Sequence, residues 1–447
     1  MSNVQELYNL KKKTAQEALG LLKDGDAIVS SLGASEPMEI LKNIHKIAEM
    51  GIKGCDVTSC LPMYGYEYIT NPNYAEAVTG SGWFYSAFHR EAKKRGETHV
   101  SFVPQHLHGA GTRRLYAMRQ DSKRPVLLAS CSPMDEHGFL SLSLSATYER
   151  MFVDEGAVVI VEVNKQMPRT FGDTTIHISE IDALVETDYP VPAIPHVPFN
   201  DNDAKIAGFV SERVKDGSTI QLGIGGIPNA VANGLKDKKH LGIHTEMLTD
   251  NMVDLVECGA VDNSMKTLYK YKIVGTFAMG SEKLYKFLDN NSSVLLKHGA
   301  WVNDPYVVGQ NYQMQSINTT LEVDLFGQCA SEAIGPRQFS GSGGQADTAI
   351  GAQRSKGGQS FICLYSTASI KKENGEREVV SKIVPMLKEG SVVTLSRNDV
   401  DYVVTEYGIV NLRGRSLKER AERLISIAHP DFRDELSYHI KKHPGIY

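Results

Sequence analysis

Apolar residues recur along the chain in two rhythms, a helical spacing and short unbroken runs, with glycine and proline between them. Residues 4–22 carry an apolar stripe through Leu7, Leu10, Ala15, Ala18, Leu19 and Leu22 and are predicted to form one helix. A strand is expected over 27–32, a loop over 33–35, and a helix opening at Glu36-Pro37. In the second half, residues 216–259 predict strand, glycine loop, helix, strand and helix. Residues 218–222 are short and apolar enough for a buried strand, and Gly223, Gly225 and Gly226 break it. Pro228 suits the first turn of a helix, where its missing N–H is not needed. The next strand is expected over 241–245, and a helix over 247–256 through Leu248, Met252, Val253, Leu255 and Val256. One carboxylate, Glu246, falls where that strand hands over to that helix. Units of this kind build parallel sheets, and ligands gather at the carboxyl ends of their strands. The glycine loop and Glu246 both fall at that edge.

The two halves echo each other. DGDAIVSSLGASEP (24–37) and DGSTIQLGIGGIP (216–228) each run from an acidic-glycine turn through a strand and a loop with glycine to a proline. EGSVVTLSRNDVDYVVTEYG (389–408) is a weaker third echo, and the buried strand GAVVIVEVN (156–164) has a loose counterpart in QSFICLYST (359–367). A duplicated α/β unit follows from the pattern. Between the halves, residues 185–203 hold Pro190, Pro192, Pro195 and Pro198, a spacing that favours an extended connector. The expected domains are 1–198 and 199–447, each a largely parallel sheet flanked by helices. Near the end, residues 416–427 predict a helix with Glu419 and Arg423 as an i,i+4 pair, stopped by Pro430.

Composition narrows the function classes. With 447 residues, 41% hydrophobic and 23% charged, the chain is ordinary for a globular protein with a sizeable core. A net charge of −5 does not indicate a nucleic-acid surface, so an anionic ligand needs a local basic patch. No apolar run reaches the roughly 20 residues of a membrane helix, and the first residues carry no signal-peptide core, so neither membrane nor nucleic acid is an expected partner and a cytoplasmic location is expected. The six cysteines are scattered without a CxxC pair, as small buried residues of a reducing compartment are. His106 and His108 are spaced i,i+2 with no matching carboxylate or cysteine, so no metal is expected.

The candidate chemistry sits in the second half. Gln221, Leu222, Gly223, Ile224, Gly225 and Gly226 lead into a helix N-terminus, a setting for backbone N–H groups facing an anion or a developing oxyanion; a tight structural turn fits the same residues. Pro228 stands where a dinucleotide fingerprint has its third glycine, and no P-loop lysine follows. A second glycine run includes Gly343 and Gly344, with Arg354 and Lys356 soon after, which suits a phosphate-bearing or thioester ligand. Glu246 alone is either a helix-dipole partner or a nucleophile. Attack by a carboxylate on a bare carboxylic acid goes nowhere, so a thioester is the natural electrophile.

These residues carry a resemblance. QLGIGGIPNAV (221–231), GIHTEM (242–247), VNDP (302–305), FSGSGGQAD (339–347) and SKGGQS (355–360) resemble the acetyl-CoA hydrolase/transferase family, nearest its 4-hydroxybutyrate and butyryl-CoA:acetate CoA-transferase branch. SPMDEHGFLSLS (132–143), MPRTFGDTTIHISEID (167–182) and AHPDFRDEL (428–436) resemble it too, so the likeness runs through nearly the whole chain in order. The resemblance implies two similar CoA-transferase-fold domains and a ping-pong transfer through a thioester of CoA with Glu246. It also implies CoA and oxyanion contacts from Gln221 to Gly226, Asn303 near the reacting carbonyl, Gly343 and Gly344 beside the CoA chain, and Lys356 at a CoA phosphate.

No permanently bound cofactor is implied; CoA is substrate and covalent intermediate. The partners implied are acyl-CoA and short-chain carboxylates, with butyryl-CoA and acetate preferred and 4-hydroxybutyryl-CoA second. A homo-oligomer is expected from the commonness of symmetric assemblies. Tyr64, Tyr66 and Tyr68, the run from Gly82 to Tyr85, and the segment 104–111 would shape the acyl pocket; Arg169, Asp173 and His177 are expected to form a structural network. Hydrolysis on the same glutamate and a non-catalytic ligand sensor are the alternatives.

Overall fold

A computed structural model describes residues 3–447 except 196 and 373, and the chain divides into two units. The first holds Met1–Pro195 with Glu246–Asp250 and Lys272–Val302; the second holds His196–Thr245, Asn251–Tyr271 and Asn303–Tyr447. No helix of the described residues is long and apolar enough to cross a membrane.

The first unit is built on β1 (Ala27–Ser30), β2 (Cys55–Cys60), β3 (Val78–Phe84), β4 (Val100–Phe102), β5 (Pro125–Cys131), β6 (Val158–Asn164) and β7 (Ala183–Thr187). Their order is β4-β3-β2-β1-β5-β6-β7, and every pairing is parallel. Parallel neighbours need crossover connections, which here include the helices Met38–Asn43, Ala87–Lys94, Ala110–Gln120 and Glu149–Asp154. Covered on both faces, β1, β5 and β6 read as apolar runs rather than as alternation. Ile28, Val57, Val126, Leu128 and Ile160 pack with Leu19, Leu22, Ile40 and Leu41 in one core.

The second unit repeats the plan with β8 (Thr219–Leu222), β9 (Gly242–Ile243), β10 (Met314–Thr319), β11 (Gln359–Cys363), β12 (Tyr402–Thr405) and β13 (Gly408–Asn411). The order is β9-β8-β10-β11-β12-β13, parallel except for β13. In each unit the chain moves to one side of its first strand and then returns to the other, so the order reverses between β1 and β5 and between β8 and β10. Crevices outside the carboxyl ends of such strand pairs take ligands. The main sequence echo and the loose one land in equivalent places: β1 corresponds to β8, and β6 to β11. The third echo does not, because residues 389–395 form no strand and only the bridge Cys329↔Leu395 marks them.

Several local expectations change. The first helix is two, Asn3–Lys11 and Ala15–Leu19, because Thr14 caps the second with Glu17 in a reciprocal capping box; Leu10 is 76% exposed. Pro430 does not merely stop a helix: it is the first residue of the helix Pro430–Lys442. Glu419 closes a capping box with Ser416 and pairs with Arg415 at 3.4 Å, which is the use the fold makes of it. The proline connector begins as β7 and ends where Asn200 caps the helix Asp201–Ser211; His196 within it lies outside the described residues.

The stretch around Glu246 differs most. Residues 247–248 are a short strand, Met247–Leu248, and the helix starts only at Asp250. That strand pairs with Phe277–Ala278, whose backbone is tied to the first unit by Ala278 N–H to the Leu144 carbonyl at 2.8 Å and Ala146 N–H to the Thr276 carbonyl at 2.9 Å. These ladder bonds draw two segments of the second half into the first unit, where a continuous C-terminal domain was expected.

Candidate active site

In the second unit, β8 carries Gln221 and Leu222 to the carboxyl edge of the sheet, and the glycine loop turns the chain into the helix Gly226–Gly234. Gly225 is the N-cap residue at φ 109°, ψ −175°, a backbone state open essentially to glycine alone. Gly226 is needed for a different reason: a Cβ there would lie 2.6 Å from Asp203 Oδ2. That carboxylate is already held by the Asn200 N–H at 2.9 Å and the Tyr365 hydroxyl at 2.6 Å. Ile224, at the tip, is exposed.

The second glycine run comes to the same edge. Gly343 has φ 50°, and Gly344 is the N-cap of the helix Gln345–Arg354. A polar network joins it to Gln221. Ser316 Oγ lies within hydrogen-bonding distance of Gln221 Oε1, at 3.1 Å, and of Thr348 Oγ1, at 2.9 Å, and Thr348 Oγ1 donates to the Gly344 carbonyl at 3.1 Å. Asn318 Nδ2 donates to Gln221 Oε1 at 3.2 Å, and Gln345 Nε2 to the Thr319 carbonyl at 2.8 Å. These side chains tie both loops to one strand, β10.

Lys356 is not part of this arrangement. It follows the C-terminus of the helix Gln345–Arg354, and its carbonyl accepts from Gln313 N–H at 2.9 Å, just before β10 begins. The ten-residue helix spans about 15 Å, so exposed Lys356 lies at the amino edge of the sheet, away from Gly343 and Gly344. Asn303 is fully buried next to Asp304, which caps the turn Pro305–Val308.

In the first unit, Glu246 is fixed through its own carbonyl, which accepts from Thr276 N–H at 3.0 Å and Phe277 N–H at 3.2 Å. Its residue is half-buried. Its side chain belongs to a group of carboxylates around Cys60, at the carboxyl end of β2. Burial holds the Cys60 thiol far above its usual range, and Glu246, Glu149 and Glu36 push it the same way. Glu36 follows β1 and is fully buried. Its Oε2 accepts from the Tyr66 hydroxyl at 2.9 Å and Met63 N–H at 3.0 Å, yet burial still pushes its carboxyl up to about 8. Glu149 is buried as well and accepts Tyr148 N–H at 2.9 Å and Leu32 N–H at 3.4 Å; burial again raises it. Tyr64 and Tyr66 line a cavity of about 580 Å³ with Lys42, His45 and Glu67, while Tyr68 is fully buried and stacked on Tyr66.

The motif at 167–182 has a structural use. Asn290 N–H donates to the Arg169 carbonyl at 2.8 Å, and Leu296 N–H to the Phe171 carbonyl at 2.8 Å. Asp173 receives Lys297 Nζ at 3.0 Å and His298 N–H at 2.9 Å. Gly172 admits the strap, since a Cβ there would lie 2.1 Å from the Leu296 carbonyl oxygen. Arg169 also pairs with Asp135 at 2.6 Å, and Asp135 closes the 135–139 turn by accepting His137 and Phe139 N–H.

Sequence reading missed Ser316, Asn318, Thr348, Glu36 and Glu149. Two signals were available. Ser316 and Asn318 flank Ile317 two positions apart within a strand, and so share one face. Glu36 follows β1 as the glycine loop follows β8, in equivalent stretches of the echo.

The chain resembles known proteins along nearly its whole length. Residues 1–195 match the acetyl-CoA hydrolase/transferase N-terminal domain and residues 280–440 its C-terminal domain. The chain is 42% identical over 434 residues to the succinyl-CoA:cyclohexane-1-carboxylate CoA transferase of Geobacter metallireducens, covering 96% of this chain and 95% of the relative. It is 38% identical over 440 residues to the 4-hydroxybutyrate coenzyme A transferase of Clostridium kluyveri, covering 98% and 99%. The crystal structure of RipA from Yersinia pestis aligns with TM-score 0.89 at 36% identity, over 98% of this chain and 99% of that one. The chain therefore belongs to the acetyl-CoA hydrolase/transferase family of CoA-transferases.

Proposed function

We propose that the protein moves CoA between a short-chain acyl-CoA and acetate through a thioester at Glu246. The observation that supports this most directly is the fixing of Glu246: two successive N–H groups hold its carbonyl at the start of a short strand, while the residue stays half-exposed. A nucleophile held by its backbone loses little entropy when it attacks.

The Glu246 carboxylate attacks the thioester carbonyl, the C–S bond breaks, and an acyl-glutamyl anhydride and CoA thiolate form. The thiolate then attacks the glutamyl carbonyl, releasing the acyl group as its carboxylate and leaving CoA on Glu246 as a thioester. Acetate attacks that thioester, expelling thiolate and forming an acetyl-glutamyl anhydride. The thiolate takes the acetyl group, which regenerates Glu246 and completes acetyl-CoA. No redox partner is needed and every step conserves charge. The N–H groups of Gly223 to Gly226 serve as the oxyanion donors, Gly343 and Gly344 let the CoA chain approach the backbone, and Asn303 stands by the reacting carbonyl. Butyryl-CoA is the donor the sequence resemblance favours, with 4-hydroxybutyryl-CoA second.

Incubation with an acyl-CoA in the absence of acceptor, borohydride reduction and peptide mass spectrometry tests the intermediate. A primary alcohol in place of the residue 246 carboxyl is expected. Turnover with no reduced residue at 246 would count against the route. Isotopically labelled acetate separates transfer from hydrolysis, since only transfer carries the label into acetyl-CoA.

A further inference from the structure

Two crossovers of the first unit lie side by side on one face of its sheet. The chain steps from β1 to β2 and from β2 to β3 in the same direction. Right-handed crossovers that step the same way pack on the same face. The first holds the helix Met38–Asn43 and the turn Ile44–Ala48; the second runs through Glu67–Thr70 and Pro72–Tyr74. A cavity of about 580 Å³ opens between them, within the size range of small-molecule sites. His45 and Tyr74 join its two sides, with ring centroids 4.8 Å apart. His45 lies beyond a six-residue helix of about 9 Å that starts after β1, and Tyr74 lies just ahead of β3. The cavity therefore reaches down the face toward the amino edge of the sheet, whereas Cys60 and the carboxylates acting on it stand at the carboxyl edge.

Its lining is aromatic. Tyr64, Tyr66, Tyr74 and the His45 imidazole supply four flat rings, and Tyr64 meets Tyr66 edge to face with centroids 6.1 Å apart. Tyr66 donates its hydroxyl to Glu36 at 2.9 Å, so its ring is what remains for the cavity. Two observations separate a binding site from ordinary packing. Tyr64 is exposed, so the rings do not close on one another. His45 Nδ1 is buried with no hydrogen-bond partner among the described residues, in a ring that lines the cavity. Buried polar atoms are nearly always paired, and a bound molecule would supply the missing partner.

Charge sets the class of ligand. Aromatic boxes often take a cation, but here Lys42 Nζ already stands 5.6 Å from the centroid of the Tyr64 ring. That ammonium favours an anionic group instead. Glu67 also lines the cavity; its Oε2 accepts from Asn71 Nδ2 at 2.8 Å, which leaves Oε1 to accept from an amino group. A flat ring with an amino group, a ring nitrogen for His45 Nδ1 and an attached phosphate meets all three demands. We infer that this cavity binds an adenosine phosphate, with the base stacked on Tyr64 and Tyr74, its amino group at Glu67 and the phosphate at Lys42. Two sources offer that chemistry: a free adenine nucleotide and the nucleotide end of CoA. The site does not depend on the transferase reading, and it gives Tyr64 and Tyr66 a use other than the acyl pocket the resemblance implies.

The test is calorimetric titration of the full chain with AMP and with ribose 5-phosphate, which lacks the base. The proteins are the wild type, Lys42→Ala, His45→Phe and Tyr74→Leu. Lys42 is exposed, and His45→Phe keeps a ring against Tyr74, so these two substitutions spare the fold. AMP is expected to bind with a Kd of about 0.1 mM. Ribose 5-phosphate is expected to bind about tenfold more weakly, because base stacking is lost. Each substitution is expected to weaken AMP several-fold, Tyr74→Leu most, by about tenfold. No binding at about 5 mM AMP, equal affinity for the two probes, or unchanged AMP affinity in all three variants overturns the inference. Kinetics on butyryl-CoA and butyryl-pantetheine, with acetate as acceptor, then assign the source. A KM unchanged by the substitutions on both substrates assigns the site to a free nucleotide. A KM raised on butyryl-CoA alone assigns it to the nucleotide end of CoA. A KM raised equally on both returns the cavity to the acyl chain and overturns the inference. If the wild type turns over neither substrate, the transferase reading fails and the binding result stands on its own.

Discussion

The three glycines of the 223–226 loop make separable predictions, because the fold constrains each one differently. Gly225→Ala introduces no clash, as nothing lies within 4 Å of its Cβ position, but forces alanine to φ 109°. Such a backbone costs about 1–3 kcal/mol, and alanine is a poorer N-cap by about 0.5 kcal/mol. Stiffening the unfolded chain returns about 0.4–1 kcal/mol. The net expected loss is about 1–2 kcal/mol. Gly223→Ala carries neither penalty: its Cβ would meet Pro228 Cγ at 3.7 Å, an ordinary contact, and stability is expected to hold or rise slightly. Gly226→Ala collides with Asp203 Oδ2 and disturbs a carboxylate holding two hydrogen bonds, for a loss of about 1–3 kcal/mol.

Urea unfolding of the three variants, compared by midpoint at constant slope, reads these numbers. Transfer kinetics on the same samples read function. If the loop N–H groups face the oxyanion, displacing one lowers kcat about 10²–10³-fold in Gly225→Ala, well beyond Gly223→Ala. Equal stability of Gly225→Ala and Gly223→Ala would refute the strain argument. A destabilised Gly225→Ala with unchanged kcat would refute the oxyanion role while leaving the strain argument standing.

Four further outcomes are expected. Glu246→Ala abolishes transfer and leaves no reducible adduct, while equilibrium dialysis still detects CoA binding; retained turnover would remove the nucleophile. Lys356→Ala changes KM for the acyl-CoA less than about threefold, since it is exposed at the amino edge of the sheet; a tenfold rise would place a CoA phosphate there. Thr348→Val breaks the link from Ser316 to the Gly344 carbonyl and is expected to cost about 1–3 kcal/mol in urea unfolding. Glu36 makes stability pH-dependent with a defined sign. Its folded value, pushed up to about 8 by burial, lies above the ordinary 4.5, so between these the folded state binds a proton that the unfolded chain has lost. Stability therefore falls as pH rises through that window, by at most about 1.4 kcal/mol per unit. Glu36→Gln should remove this contribution, so the difference between wild-type and variant stabilities should change from pH 5 to 8; parallel profiles would contradict it.

The sequence by itself determined the repeated α/β plan, the glycine-loop position and the choice of Glu246 as the residue to watch. Those features are local: a run of apolar residues, a glycine break and a proline start each report their own backbone conformation. The main echo and the loose counterpart of 156–164 in 359–367 fell on equivalent strands for that reason, and the weaker echo at 389–408 failed because residues 389–395 lie in no strand. Contacts between residues far apart in sequence were decided only by tertiary structure. Pairing of Met247–Leu248 with Phe277–Ala278 turned an expected helix start into a strand and joined Glu246 to the first unit. The direction of the helix Gln345–Arg354 set Lys356 and Gly344 at opposite edges, although 12 positions separate them in the chain. Ser316, Asn318 and Thr348 became a network because packing brought together residues whose spacing carries no period. A hydrophobic period encodes which face of an element is buried; it does not encode which polar groups meet once the faces close.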